Sequence, residues 1–408
     1  MSNGGQPLRR TSLVEPFIVS TVPLIGLAIL QNALPVFAPV LMQAAGAQPE
    51  AFGLVAGALG LGSVWLYMAN AAYTGTLGPV RALQVASVIA IAGALLAVTG
   101  VYPLIVLGGL LIGFGYAATT PSGSQILADN TPARYRGSLF SLRQAGVPLG
   151  GVVAGAGGGW LTGRIGWQAA FASILAIAFL LCLVLAATPS RYNESRPRQQ
   201  FRLARMFALT NLAQPLRTVR ATPGMARFTA ASMGFAAVQV ASTAFFVTYL
   251  TDGLGFGLAF AGTLFATMQA SSVLGRIVFG FVADRLGSPR PVLTVLAVLS
   301  CLSSLLIAVM QPDWSALQLF AAVLLAGLSI ATWNGLYLAE VASMAPDNVA
   351  EATAGTTFFV FATYMVTPPI AGVIIVLLGY RAVFAAVALA VLTSAYVLKT
   401  TPPAHAGG

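Results

Sequence analysis

Residues 275–290 read GRIVFGFVADRLGSPR, a short charged stretch set between two long apolar runs. Its glycines allow helix backbones to approach one another closely. The charged pair Asp284 and Arg285 would be costly inside a bilayer and is expected at its boundary. The stretch therefore predicts a loop at which a polytopic membrane protein reverses direction, with charges that can hold neighbouring helices together.

The composition places the chain among membrane proteins. Of its 408 residues, 58% are hydrophobic and only 7% are charged, with a mean hydropathy of +0.86. Soluble proteins carry about 25% charged residues, and a helix needs about 20 apolar residues to cross about 30 Å of hydrocarbon. The sequence predicts an all-α protein with twelve transmembrane helices, over residues 16–42, 50–73, 82–100, 103–128, 138–162, 167–188, 226–250, 257–282, 291–310, 315–341, 353–378 and 381–398.

The first apolar run is longer than the 7–15 residues typical of a signal-peptide core, so the first helix is expected to remain in the protein. Basic residues fall in every second loop, and those loops are cytoplasmic if the N-terminus is cytoplasmic. Only Arg164 and Arg381 then face outward. This predicts that both termini lie in the cytoplasm, and the membrane is expected to be a bacterial-type inner membrane. The inward basic residues are Arg9, Arg10, Arg81, Arg134, Arg136, Arg285, Arg290, Lys399 and the arginines from Arg191 to Arg227.

The net charge of +10 lies in these loops and not in a nucleic-acid-binding fold, so anionic lipid of the inner leaflet is the expected partner. Cys182 and Cys301 fall within predicted spans, which argues against a disulfide framework or a metal site. The only histidine, His405, lies in the tail, and neither a phosphate loop nor a nucleophile constellation is present. An enzyme, a cofactor and direct use of ATP are therefore not expected.

The chain divides into two six-helix halves, 1–188 and 226–408, joined by a cytoplasmic loop at 189–225. The part of the loop that starts at Phe201 has the spacing of an interfacial helix, or is a solvated linker with a basic face. The halves resemble diverged copies about 210 residues apart. The matching segments are 78–81 with 287–290, 127–129 with 338–340, and 166–171 with 379–384.

With the motif Gly280-x-x-x-Asp284-Arg285-x-Gly287-x-x-Arg290, the span count, the basic central loop and the duplication, the chain resembles the major facilitator superfamily. That resemblance implies two six-helix bundles related by an axis along the membrane normal. It also implies a central site near the midplane that opens alternately to each side.

In such transporters the motif helps to latch the outward-facing state. The expected second-half network is Arg276, Asp284, Arg285, Gly287, Arg290 and Glu340. A thinner first-half counterpart is expected at Gly78, Arg81, Asp129 and Arg134. It is thinner because Gly75 and Thr76 stand where the second half has Asp284 and Arg285. The alternative is that these charges serve only topology and helix capping.

The fifth span, from Gly137 to Gly159, is rich in glycine and contains Pro148, which predicts tight helix packing or a bend. Its spacing is similar to the antiporter motif of drug exporters, although Pro148 is displaced. Residues 143–151, RQAGVPLGG, are more similar to cyanate permease-like and anion:cation symporter groups of the superfamily.

Arg143 is the most distinctive residue of that span, because a permanent cation within the membrane usually faces a cavity or a partner. Its planar guanidinium suits a carboxylate or another oxyanion. Alternatively, Arg143 reaches the membrane surface or pairs with Asp129. Polar and aromatic residues of other spans could complete a substrate pocket around it. These candidates are Gln144, Asn32, Tyr116, Gln239, Gln269, Trp333, Asn334 and Tyr364.

No acidic residue lies near the middle of a predicted span, so a central proton relay is not apparent. Protons remain a candidate coupling ion if the substrate carries them or if Glu50 or an acidic residue at a span end titrates. The sequence predicts a secondary transporter for a small organic or inorganic anion, expected to be a monomer. The alternatives are an exporter of amphipathic compounds and a receptor without transport activity, for which an appended soluble domain would be expected.

Overall fold

The computed structural model describes residues 13–132, 139–140, 142–188, 190–193 and 210–400. Eleven helical stretches in this part of the chain are long and apolar enough to cross a membrane. The α-helices are α1 Val14–Ala44, α2 Phe52–Leu77, α3 Pro79–Ala97, α4 Tyr102–Asn130, α5 Gly146–Val152, α6 Gly158–Ile165, α7 Trp167–Cys182, α8 Thr210–Ala221, α9 Met225–Thr248, α10 Leu258–Leu286, α11 Pro289–Ala308, α12 Ala316–Ile330, α13 Asn334–Met344, α14 Val349–Leu378 and α15 Tyr380–Thr400.

The predicted fifth span takes a composite form. A π-helical segment, Val153–Gly157, joins α5 to α6, so the chain is helical without a break from Gly146 to Ile165. Together with the eleven apolar stretches, this segment completes the twelve spans that the sequence predicts. Such π segments widen a helix locally and are frequent at functional sites.

The close packing predicted for this glycine-rich span is present on two sides. A Cβ atom added at Gly150 would lie 2.7 Å from the Cβ atom of Ala28 in α1. One added at Gly155 would lie 2.8 Å from the carbonyl oxygen of Gly262 in α10. Only residues without side chains let three helices approach this closely. The glycines therefore hold the fifth span between α1 and α10.

Glycines at matching positions reverse the chain in the two halves of the sequence. Gly78 and Gly287 have positive φ angles of 79° and 65°, and Gly166 and Gly379 have φ angles of 80° and 81°. Residues with a side chain rarely adopt this left-handed region. Gly166 and Gly379 also agree in ψ, at 159° and 172°, so the internal repeat extends to the backbone conformation of this turn. Gly78 and Gly287 share the positive φ but differ in ψ, at 159° and 11°.

We call α1–α7 the first half and α9–α15 the second half. In the first half, α4 packs against α1, α2 and α3, and α7 packs against α1. In the second half, α15 packs against α9 and α11, and α12 packs against α10 and α11. The halves meet where α1 contacts α9, where α2 contacts α14, and where α10 contacts α5 and α6.

The contacts between halves are closest toward one end of the helices. We call the end that holds the start of α1 and the end of α15 the termini face, and the other end, with the segment Pro49–Ala51, the opposite face. A Cβ atom at Gly57 would lie 3.0 Å from the carbonyl oxygen of Met365 in α14, and one at Gly159 would lie 2.7 Å from that of Leu258. The halves are thus packed together toward the opposite face.

The segment 189–225 is described only in part. Its α8 packs against α14, where Pro215 faces Gly355. The interfacial helix expected from Phe201 onward falls mainly on residues 201–209, which lie outside the described residues, as do Arg134 and Arg136.

Candidate functional site

Three tyrosines from both halves lie close together near the middle of their helices. They are Tyr67 in α2, Tyr116 in α4 and Tyr364 in α14, and they interact electrostatically with one another. The ring of Tyr67 stacks on Phe361, with 4.7 Å between ring centroids, and Phe361 contacts Tyr364 edge to face. All three tyrosines are partly exposed although they lie deep along their helices. We call them the tyrosine cluster, and their exposure indicates an interior surface that water reaches.

Arg276 of α10 lies beside this cluster, within electrostatic range of Tyr116 and Tyr364. One of its terminal nitrogens, Nη2, donates a hydrogen bond to the carbonyl oxygen of Ala331 at 3.1 Å. Its Nε is buried and has no hydrogen-bond partner among the described residues. A guanidinium has five N–H donors and cannot lose its proton in a protein, so Arg276 keeps donating capacity for a ligand.

Arg143, the cation singled out by the sequence, also lies beside the cluster, within electrostatic range of Tyr67 and Tyr116. Its side chain is only 1% exposed. Its Nε donates to the carbonyl oxygen of Ser20 in α1 at 3.2 Å, and Nη2 donates to that of Thr119 in α4. Arg143 therefore ties the fifth span to two helices of the first half.

The two alternatives for Arg143 do not match this arrangement. The side chain is buried and does not reach the membrane surface. Within the described residues its hydrogen bonds go to main-chain carbonyls, whereas Asp129 is exposed at the end of α4. Gln144, the next candidate along the chain, is partly exposed.

Two other predicted pocket residues meet across the interface between the halves. The side-chain amide of Gln269 in α10 donates to the side-chain oxygen of Asn32 in α1 at 3.3 Å. Asn32 in turn donates to the carbonyl oxygen of Ala28 at 2.8 Å. Both side chains are buried, so this polar contact connects α1 with α10 inside the molecule.

Three further candidates form a separate polar group within the second half. The side-chain oxygen of Gln239 accepts hydrogen bonds from the indole nitrogen of Trp333 at 2.8 Å and from the amide of Asn334 at 3.2 Å. The Trp333 ring, fully buried, stacks on Phe235 with 5.4 Å between centroids. Trp333 ends the turn between α12 and α13 and Asn334 begins α13, and both side chains donate to Gln239 of α9.

The charges of the motif at 275–290 take different positions. Arg290 and Glu340 form an ion pair in which both side chains are largely buried. Asp284 is exposed, and Arg285 lies over the ring of Phe281 at 4.5 Å. Gly287 ends α10 in the left-handed conformation. Arg276, placed by sequence in this network, instead lies two helical turns before Asp284 and beside the tyrosine cluster.

The first-half counterpart is built differently. Gly78 precedes α3, and the backbone N–H groups of Val80 and Arg81 donate to the side-chain oxygen of Asn193, at 3.1 and 3.3 Å. Arg81 and Asp129 are both exposed. Asn193 therefore caps the first turn of α3, a role that sequence reasoning missed.

Tyr67 is a further residue that sequence reasoning missed. The available signal was a tyrosine near the middle of a strongly apolar span, since a phenol in hydrocarbon usually needs a partner. Arg276 gives the same signal as Arg143, since both are cations well inside a span. Because Arg276 is close to Asp284 in sequence, it was assigned to the charge network of the motif and not to the substrate site.

The acidic residues of the described part of the chain lie within two turns of a helix end or in connections between helices. They are Glu15, Glu50, Asp129, Asp252, Asp284, Asp313, Glu340, Asp347 and Glu351. Arg143 and Arg276 lie well inside the bundle, and the residues found to interact with them electrostatically are tyrosines. The region of the tyrosine cluster is therefore positively charged.

Comparison with known protein families agrees with this architecture. The sequence model of the Major Facilitator Superfamily matches residues 24–362 and 228–408. The chain belongs to the major facilitator superfamily. It is therefore an integral membrane protein and a secondary transporter of a small-molecule substrate, not an enzyme.

One curated relative is the cis,cis-muconate transport protein of Acinetobacter baylyi. It is 27% identical over 166 residues, a stretch that spans 40% of this chain and 40% of the relative. The matched region thus covers less than half of that protein's length.

Solved structures share the fold over nearly the whole chain. A mutant of the nucleoside transporter NupG superposes with a TM-score of 0.74 at 16% identity, covering 95% of this chain and 99% of that one. A bacterial homologue of the human lysosomal transporter Spinster, inward-facing and occupied, gives a TM-score of 0.70 at 16% identity, covering 98% and 97%. At this identity the likeness concerns the fold alone.

Proposed function

We propose that this transporter moves a small organic or inorganic anion by alternating access. The observation that carries the proposal is the buried Nε of Arg276, which has no partner among the described residues and lies beside the tyrosine cluster between the halves. A guanidinium with free donors in a low-dielectric interior binds an oxyanion strongly, because charge-assisted hydrogen bonds are about twice as strong as neutral ones.

The charge around the site supports an anion over a lipophilic cation. Arg143 and Arg276 both interact with Tyr116, and the described acidic residues lie near helix ends or in connections. A cation entering this region would meet two positive charges and no nearby carboxylate of the described residues. The similarity to a muconate transport protein supports the same substrate class.

The second candidate is an exporter of amphipathic compounds. The aromatic rings of Tyr67, Phe361 and Tyr364 favour it, because they offer apolar surface at the same place. An amphipathic anion would satisfy both the rings and the arginines, so the two candidates differ mainly in how large and how apolar the substrate is.

In the proposed cycle, the six-helix halves 1–188 and 226–408 move about this site in a bacterial-type inner membrane, with both termini and the loop 189–225 in the cytoplasm. Packing of the halves toward the opposite face closes one route, so in this arrangement the site exchanges its substrate through the termini face. Each half contributes one arginine, which couples the anion to the motion of both. The segment 143–151 supports a relationship to cyanate permease-like and anion:cation symporter groups.

The test measures binding to the purified protein as an increase in melting temperature with monocarboxylates, dicarboxylates, inorganic oxyanions and lipophilic cations. We expect anions to raise the melting temperature of the native protein and of Arg164→Gln, a matched control at an exposed arginine near the opposite face. Arg276→Gln should keep its fold and lose the anion response. Stabilisation by lipophilic cations alone, or an unchanged anion response in Arg276→Gln, would overturn the proposal.

A further inference from the structure

We infer that the substrate is a dianion, with one anionic group bound directly by Arg276 and the second held at Tyr67 and Tyr116 by the charge of Arg143. This inference rests on the proposed function and deepens it, because it names the charge of the anion that this site accepts.

The first step is the number of charges at the site. Arg143 belongs to the first half and Arg276 to the second, and both interact electrostatically with Tyr116. The hydrogen bonds described for the two guanidinium groups go to neutral main-chain carbonyls of Ser20, Thr119 and Ala331. Carbonyls satisfy donors but leave each positive charge uncompensated.

The second step is the source of compensating charge. Acidic residues in the described part of the chain lie within two turns of a helix end or in connections, away from the tyrosine cluster. Isolated charges are costly in a low-dielectric interior unless a partner neutralises them. A bound monoanion would compensate one arginine, whereas a dianion would compensate both.

The third step separates the roles of the two arginines. Arg143 is 1% exposed, and its Nε and Nη2 already donate to carbonyls, so it is not placed to grip a substrate directly. Its charge reaches the site through Tyr67 and Tyr116, which lie in its electrostatic range. Their hydroxyl groups can donate hydrogen bonds to a second carboxylate. Arg276, with its free Nε, provides the direct contact.

The arrangement also links charge to transport. The two arginines come from different halves and both interact with Tyr116, so around an empty site two uncompensated positive charges repel each other. A dianion removes that repulsion, whereas a monoanion leaves one positive charge. The substrate's charge would then favour the conformational change as well as binding.

The first experiment needs no variant. Each dicarboxylate from succinate to muconate is paired with its own monomethyl ester, which has nearly the same shape and one charge fewer, and sulfate is paired with nitrate. Dissociation constants are measured by calorimetry on the purified full chain. We expect the dianion of at least one pair to bind about tenfold more tightly or better, as is usual when one charge-assisted hydrogen bond is gained.

The second experiment assigns the second charge. In Arg143→Gln, the ratio of the dissociation constant of the ester to that of the dianion should fall to about one, while the ester still binds. In Arg276→Gln, neither the dianion nor the ester should bind. Because Arg143 also holds helices together, melting temperature and gel-filtration profile are recorded for each variant, and Arg143→Lys, which keeps the charge, should retain the preference.

The outcomes separate the two proposals. Equal affinity of dianions and their esters in the native protein would overturn the dianion inference and leave the anion proposal standing. An unchanged preference in a folded Arg143→Gln would overturn the assignment of the second charge to Arg143. No binding by any of these anions would overturn the proposed function itself.

Discussion

Gln269 of α10 donates a hydrogen bond to the side-chain oxygen of Asn32 of α1 at 3.3 Å, across the interface between the two halves. Both side chains are buried, and a Cβ atom added at Gly151 of the fifth span would collide with the Gln269 amide. Three helices from two halves therefore meet at one polar contact. An interface that must open during transport is held here by a weak neutral bond and not by an ion pair.

We predict a small coupling energy between these two residues. Asn32→Ala, Gln269→Ala and the double variant should give a coupling of about 0.6 kcal/mol, the usual size of a side-chain hydrogen bond inside a membrane protein. A double-mutant cycle on unfolding in detergent measures it. A coupling near zero would show that the two amides do not depend on each other in the folded protein.

The packing of α2 on α14 leads to a prediction about conformation. A Cβ atom at Gly57 would lie 3.0 Å from the Met365 carbonyl oxygen and closer to Pro369, so Gly57→Leu cannot keep the halves in contact toward the opposite face. We expect the equilibrium to shift toward opening of that face. A cysteine introduced at Met365 should then react faster with a membrane-impermeant maleimide added from that side.

The matched control is Gly75→Leu in the same helix, because a Cβ atom at Gly75 meets nothing within 4 Å. With the cysteine at position 365, Gly75→Leu should be labelled at the same rate as the protein that carries Met365→Cys alone. Equal rates in both leucine variants would mean that contact between α2 and α14 does not determine whether this face is closed.

The sequence predicted the helices well because hydropathy and glycine positions act locally. The span expected at 257–282 is α10, Leu258–Leu286, and the turn expected after it is made by Gly287 with φ of 65°. The fifth span was expected as one helix, and its π segment was not anticipated beyond a possible bend at Pro148. The helix bounds and the turn at Gly287 depend on residues that are near each other in the chain.

The site was harder to predict because partners in a bundle are distant in sequence. Asn32 and Gln269 were each proposed for a pocket, but no pattern linked residues 237 positions apart. Arg276 was assigned to the charged loop because it lies near Asp284 in sequence. The rotation of α10 and its packing, which spacing does not give, place Arg276 instead beside Tyr116 and Tyr364.

The ion pair between Arg290 and Glu340 predicts a large loss of stability on removal of the carboxylate. Arg290 is 8% exposed and Glu340 is 3% exposed. Glu340→Gln should therefore lower the free energy of unfolding by about 3–5 kcal/mol, the usual cost of breaking a buried pair. Asp313→Asn, at an exposed residue of a connection, is the control and should change little.

A second variant separates charge from packing. Replacing both Arg290 and Glu340 with leucine should recover part of the lost stability, because buried pairs exchanged for apolar residues are often neutral. If the double variant is as unstable as Glu340→Gln, the loss comes from shape and not from the buried guanidinium.

The contact between Gly123 and Arg143 gives a prediction that leaves the arginine in place. A Cβ atom at Gly123 would lie 2.9 Å from the guanidinium carbon of Arg143 and 3.0 Å from its Nε, so Gly123→Ala should push the guanidinium off the carbonyls of Ser20 and Thr119. We expect the free energy of unfolding, measured in detergent, to fall by about 1.5–3 kcal/mol, the value of a hydrogen bond from a charged group. Gly163→Ala is the control, because a Cβ atom at Gly163 meets nothing within 4 Å. There the same change within a helix should raise the free energy of unfolding by about 0.5–1 kcal/mol. Equal stability of the two variants would show that these carbonyls do not hold Arg143, and its buried charge would then have to be stabilised by another group.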